Sequence, residues 1–223
     1  MKTLLAKNRA LYLNLMLSTA FALALLVFRI QLTQTYFYLF LVWNLFLAGI
    51  PFVISQALCH GRWLRNSKLL GTGSFLIWLL FLPNSPYIIT DLVHLHDQAS
   101  HLRWFDLFLV FVFALNGLVF GLLSLLDIYG LLAERYDRTV ASYSLFKICL
   151  LSGFGIYLGR FLRFNSWDIV TKPTTLFHQA WFSMKEPKMW LFTLAFGGFL
   201  WILFTLLRAL LKHNEVAVSN SYD

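Results

Sequence analysis

Charged residues are scarce in this chain. Asp, Glu, Lys and Arg make up 13% of its 223 residues, against 59% that are apolar. A water-soluble domain of this length needs far more polar surface, so a soluble globular fold is excluded. Cysteine is scarce as well. Cys59, in an expected loop, and Cys149, in an expected helix, offer neither a disulfide framework nor a metal-ligand spacing. G-x-S-x-G, H-E-x-x-H and a Walker loop are all absent, which removes the residues that rhomboid-like, zinc-protease and nucleotide-driven chemistry require. Acidic residues fall short of basic ones, 10 against 18, for a net charge of +8. No nucleic-acid motif accompanies this excess. The basic residues sit at the ends of apolar runs, where they set orientation and meet anionic lipid headgroups.

Those apolar runs are what the chain does have. They approach 20 residues each, the length a helix needs to cross a bilayer core. They predict an all-α polytopic membrane bundle of six transmembrane helices, at about 10–28, 36–56, 66–89, 105–126, 143–164 and 190–211. Residues 1–211 read as one transmembrane domain and 212–223 as a short, disordered cytoplasmic tail. The third span is broken by Pro83-Asn84-Ser85-Pro86, because each proline removes a donor and disfavours helix before it. That span either stops near Leu82 or resumes at Tyr87. Pro51 is expected to kink or end the second span. The N-terminus has signal-peptide grammar around Ala20-Phe21-Ala22, but its apolar run continues through Phe28 and reads as an uncleaved first helix. Tyr36, Trp63, Trp104, Tyr136, Trp167 and Trp190 fall near span ends, as interfacial aromatics do.

Orientation follows from Lys and Arg in the loops. Ten of them, from Lys2 through Arg208 and Lys212, belong to one side, and seven, including Arg29, Arg103, Arg160, Arg163 and Lys172, to the other. The excess places both termini in the cytoplasm. The segment Lys172–Lys188 mixes apolar and charged residues, and is expected to lie along the outer interface rather than cross.

In a bilayer the polar residues are the informative ones, since each is costly without a partner. Most converge on the outer side, after the third span and at the end of the fifth. If Thr90 caps a short helix, Asp91, His94, Asp97 and His101 share one face. This carboxylate–imidazole cluster suits metal binding or proton transfer, though a solvated loop has the same composition and no metal-ligand spacing is present. Arg160 and Arg163 share a helical face, either snorkelling to headgroups or forming an anion site or ion pair with Asp91 or Asp168. Gly117-x-x-x-Gly121 and Gly155-x-x-x-Gly159 allow close helix approach, as packing within the chain or as a homo-oligomer contact. Asn44 and Asn116 read as interhelical hydrogen-bond formers.

Two stretches, Phe81-Leu-Pro-Asn-Ser-Pro-Tyr-Ile-Ile-Thr-Asp-Leu-Val-His94 and Tyr157-Leu-Gly-Arg-Phe-Leu-Arg-Phe-Asn-Ser-Trp-Asp168, resemble signature segments of the bacterial membrane family called domain of unknown function 1361. Trp43-Asn-Leu-Phe-Leu-Ala-Gly-Ile-Pro51 looks like its earlier motif. The resemblance covers roughly residues 30 to 210. It implies a multi-pass protein of the bacterial plasma (inner) membrane, and no biochemical activity. It draws attention to Asp91, His94 and Asp168 as catalytic candidates, and to Asn84, Tyr87, Arg160, Arg163 and Asn165 as ligand-binding ones. The expected partners are the lipid bilayer and an anionic lipid or envelope precursor that an outward-facing polar site binds or modifies. No cofactor is legible. The alternatives are a small transporter, for which a broken span is the pointer, and a non-catalytic assembly partner. A close approach of Asp91 and His94 to Arg160, Arg163 or Asp168 is the expectation that a structure tests most directly.

Overall fold

A computed structural model describes residues 2–61, 64, 67–96 and 102–219. Among these, six helices are long and apolar enough to cross a membrane: Arg9–Thr33, Phe37–His60, Lys68–Val93, Arg103–Arg135, Arg138–Phe161 and Pro187–His213. Inside a helix the backbone polar groups are satisfied along its own axis, which is why lipid-facing apolar sequence becomes helix. The elements in order are α1 (Lys2–Thr33), a 3₁₀ turn (Phe37–Leu39), α2 (Phe40–His60), α3 (Lys68–Phe81), α4 (Asn84–Tyr87) and a 3₁₀ helix (Ile88–His96). Then come α5 (Arg103–Arg135), α6 (Arg138–Phe161), α7 (Asp168–Thr171), α8 (Pro173–Ser183) and α9 (Pro187–Ser219). The connections α1–α2, α3–α5 and α6–α9 gather at one end of the bundle, here called the site end.

Helix α5 is the central post. In its most apolar stretch 56% of residues are buried, against 11% for α1 at the periphery. One core lies toward the site end, where Ala22 and Leu26 of α1 pack with Leu41, Leu45, Ile88, Leu109 and Phe113. The other joins Leu58, Trp78, Leu82, Leu125, Leu145 and Phe204 from five helices and the turn after α3. Tyr36, Trp104, Tyr136, Trp167 and Trp190 are exposed at helix ends, while Trp63 lies outside the described residues.

The third span is discontinuous. Helix α3 starts at Ser67, whose Oγ accepts from the Leu70 backbone N–H at 3.4 Å, and ends at Phe81. The chain turns through Leu82 and Pro83 and resumes helix at Asn84, three residues earlier than Tyr87. The break is held from three sides. Ser85 Oγ donates to the Ala48 carbonyl of α2 at 2.9 Å. A Cβ on Gly117 would lie 2.7 Å from the Ser85 carbonyl oxygen, and one on Gly121 would lie 2.8 Å from Ser85 Cβ. Across the break, a Cβ on Gly155 would lie 2.5 Å from Pro83 Cγ, and one on Gly159 3.1 Å from a Tyr87 ring carbon. Both glycine pairs are therefore occupied within the chain. They let two helices close on a kinked segment.

Several local expectations are corrected. Helix α2 runs through buried Pro51 to His60 without ending, so Cys59 is helical rather than in a loop. Asn116 donates to the Val112 carbonyl of its own helix at 2.9 Å, not across to a neighbour. Helix α9 continues to Ser219, well past residue 211. Helix α8, of 11 residues, is too short to cross.

Candidate functional site

The centre of the polar cluster is Asp91, 2% exposed, in the 3₁₀ helix that follows the break. Its Oδ2 accepts from Asn44 Nδ2 of α2 at 2.8 Å, and its Oδ1 lies 3.8 Å from Arg160 Nη1 of α6. The second distance is an ion pair rather than a hydrogen bond. Tyr87 joins them, its hydroxyl interacting with the Arg160 guanidinium beside the Asp91 carboxylate. Arg160 sits at the last turn of α6, where an unpaired charge is costly in apolar surroundings. The sequence placed the two charges on one side of the membrane; folding brings them into contact.

The loop after α6 is built by its own hydrogen bonds. The N–H groups of Leu162 and Phe164 both donate to the Leu158 carbonyl, at 3.2 Å each, and Arg163 between them has φ 58°. This is a helix stop that glycine ordinarily fills, and a side chain there costs about 1 kcal/mol. Asp168 closes the turn. Its Oδ2 accepts from the Asn165 backbone N–H at 2.7 Å and its Oδ1 from Thr171 Oγ1 at 3.0 Å. The Asn165 N–H above all, working against burial and aided by Thr171 and the charge of Lys172, holds this carboxyl below the usual range. Among the ion pairs of the described residues, Asp91 and not Asp168 is the partner of Arg160. Asn84 stitches the loop to the break, its Nδ2 donating to Ser166 Oγ at 2.9 Å and to the Phe81 carbonyl at 2.9 Å.

Thr90 does not cap a helix; its hydroxyl donates to the Tyr87 carbonyl at 2.7 Å. His94 follows Asp91 by three residues in the 3₁₀ helix, and its side chain, like Asp97 and His101, lies outside the described residues.

Beside this cluster lies a cleft of about 780 Å³. Its long wall is apolar, with Leu47, Leu76, Leu80, Leu151, Phe154 and Leu158. At the site end it meets Asn44, Asn84, Tyr87, Arg163, Asn165 and Ser166, and Leu176 and Phe177 of α8 border it. Four of the five sequence-derived ligand-binding residues thus line one cavity. Arg160, Asp91 and Asp168 are not among the residues that line it. Asn44 and Ser166 are rim residues that sequence reasoning did not single out as ligands; the signal for Asn44 was a mid-span amide.

Two further polar constellations were not anticipated. Arg29, counted in the sequence as a loop residue, is 3% exposed and pairs with Asp106 of α5 at 3.0 Å and 3.3 Å. Its guanidinium also meets Thr33 Oγ1 at 2.6 Å, Thr35 Oγ1, and the Tyr38 ring 4.9 Å from the centroid. At the other end of the bundle, Asp127 of α5 accepts from Ser55 Oγ at 2.6 Å and Gln56 Nε2 at 2.7 Å. Tyr12 of α1 donates to the same Gln56 at 2.7 Å.

Comparison with curated proteins finds no match, and neither does comparison with solved structures. A family model described as protein of unknown function (DUF1361) matches residues 43–203. The matched stretch opens on Trp43 and Asn44 and contains the broken third span, both glycine pairs and the Arg160–Asp168 segment. With most of its length matched, including every rim residue named above, the chain belongs to the DUF1361 family of proteins of unknown function.

Proposed function

We propose that this multi-pass protein resides in the bacterial plasma membrane with both termini cytoplasmic, and that its outward-facing cleft binds a lipid or lipid-linked envelope precursor. The observation that carries this reading is the shape and polarity of the cleft. A molecule with an apolar chain would lie along α3 and α6, and its polar end would reach Asn84, Tyr87, Arg163 and Asn165. Trp43, Leu76, Ile77 and Leu151 line the cleft and are half or more exposed, so it opens sideways toward lipid. A modifying chemistry would draw on Asp91, His94 and Asp168. The Asp91 and Asp168 carboxylates already have partners and are not part of the cleft lining, which favours binding, with both as positioning residues.

Orientation is supported by the charge count once Arg29 and Arg160 are removed from it. Both are spent on pairs inside the protein, so the site end keeps five basic residues against ten at the other. In this orientation α8, with Phe177, Trp181 and Phe182 exposed, rests on the outer interface. A transporter reading draws on the broken span. The break, however, is clamped by glycines on both sides near the end of that span, and α3 below it is intact.

The test is the lipid content of protein purified in mild detergent, measured by native mass spectrometry before and after exhaustive delipidation. The expected result is a tightly retained lipid-like molecule in wild type that is lost when Leu151→Trp fills the cleft. Complete delipidation of wild type, at the same rate as Leu151→Trp, overturns the reading.

A further inference from the structure

We infer that the cleft selects a lipid by negative charge, and that Arg163 is the residue that reads the phosphate of its headgroup. This rests on the lipid-binding reading above and adds the charge class of the ligand.

The two arginines at the end of α6 have different fates. Arg160 is 21% exposed and is neutralised by Asp91, and neither lines the cleft. Arg163 is exposed, lines the cleft, and has no ion pair among the described residues. Of the described residues lining the cleft it alone carries a charge, so the lining is net positive; the Asp91 and Asp168 carboxylates are not part of it and already accept from protein donors. The neighbouring donors are mostly committed. Both described bonds of Asn84 Nδ2 go to protein oxygens, and Ser166 Oγ donates to the Leu80 carbonyl at 3.2 Å. Asn165 retains capacity, because its side-chain amide touches Asp168 only at 3.5 Å. An uncommitted guanidinium and an adjacent amide supply N–H donors that match the oxygens of a lipid phosphate, and a choline headgroup sets a fixed cation beside that phosphate, which Arg163 repels and no lining carboxylate offsets.

The backbone points the same way. Arg163 holds φ 58° at a helix stop where glycine would be unstrained. Its side chain is tolerated there at a cost, and what it contributes in return is a cation at the cleft mouth. The turn is itself fixed by Asp168 on the Asn165 N–H, which sets the arginine beside the opening of an apolar slot.

The experiment places the full-length protein in nanodiscs of phosphatidylglycerol and phosphatidylcholine in equal amounts with identical chains. Protein-bound lipid is then read by native mass spectrometry after release. Wild type is expected to retain phosphatidylglycerol about tenfold over phosphatidylcholine, because the choline cation offsets in one lipid the attraction that Arg163 keeps for the phosphate of the other. Arg163→Gln and Arg163→Gly should both remove that preference while still retaining lipid, and Arg163→Lys should restore part of it. Equal retention of both lipids by wild type, or an unchanged preference in Arg163→Gln and Arg163→Gly, overturns the inference and leaves lipid binding standing. Retention of no lipid by wild type overturns both. Displacement of phosphatidylglycerol by millimolar inorganic phosphate would show that the site reads a soluble anion, and would also overturn it.

Discussion

Asp91 and Asp106 pose the same physical problem with different degrees of exposure to water. Each faces an arginine across the bundle, but the Arg29–Asp106 side chains are 4% and 1% exposed, whereas Arg160 is 21% exposed. Removing one partner of a fully buried pair strands a charge that cannot reach water, at about 3–5 kcal/mol. Arg160 can still reach the interface, so Asp91→Asn should cost less, roughly 1–3 kcal/mol. Thermal denaturation in detergent should therefore rank Asp106→Asn as clearly the more destabilising. Equal losses would mean that Arg160 is as desolvated as Arg29. The sign is opposite at Arg163, where Arg163→Gly relieves the left-handed backbone and should leave stability unchanged or raise it by up to about 1 kcal/mol. Asp168 sets a pH dependence. Its carboxyl is held low in the folded protein, so its contribution is fully present above the ordinary carboxylate value of about 3.9 and is lost as pH falls through the lower, folded value. Hydrogen exchange of the Asn165 amide should accelerate below that value in wild type. In Asp168→Asn the exchange should show no such transition.

At the scale of the element, the broken third span and the glycine pairs form one device. Ser85 and Pro83 occupy the space that side chains at Gly117, Gly121 and Gly155 would take. Gly155→Ala should therefore lower the melting temperature by pushing on Pro83, without altering oligomeric state in light scattering. Gly49 and Gly130 also lie in helices but have open space around a built Cβ. Their replacement by alanine should be neutral or stabilising by about 0.5–1 kcal/mol. A change in oligomeric state in Gly155→Ala, with unchanged stability, would mean that the pair serves an intermolecular contact instead. Helices α6 and α9 cross in the same manner, since a Cβ on Gly153 would lie 2.5 Å from the Thr193 carbonyl oxygen.

For the whole molecule, six crossings would return the chain to the face it started from, and the proposed orientation makes that face cytoplasmic. A green fluorescent protein fused after the C-terminus should fluoresce, and alkaline phosphatase at the same point should stay inactive; the reverse pattern inverts the proposed topology and turns the cleft inward. The sequence by itself determined the class of fold and the number of long helices, because a bilayer imposes a minimum apolar length and leaves helix as the way to satisfy the backbone. It also marked the break at Pro83–Pro86, a local property of proline, and put Asp91, Arg160 and Arg163 at one level of the membrane. It could not tell which of the two arginines would be neutralised, that Arg29 would turn inward to Asp106, or that Asn44 would hold Asp91. Those pairings join residues 77 and 47 apart, and helical periodicity reports the face a residue occupies but not which neighbour packs against that face. The cleft likewise belongs to tertiary structure alone, because it is the gap left where a kinked span, two glycines and a tight helix stop fail to close on one another.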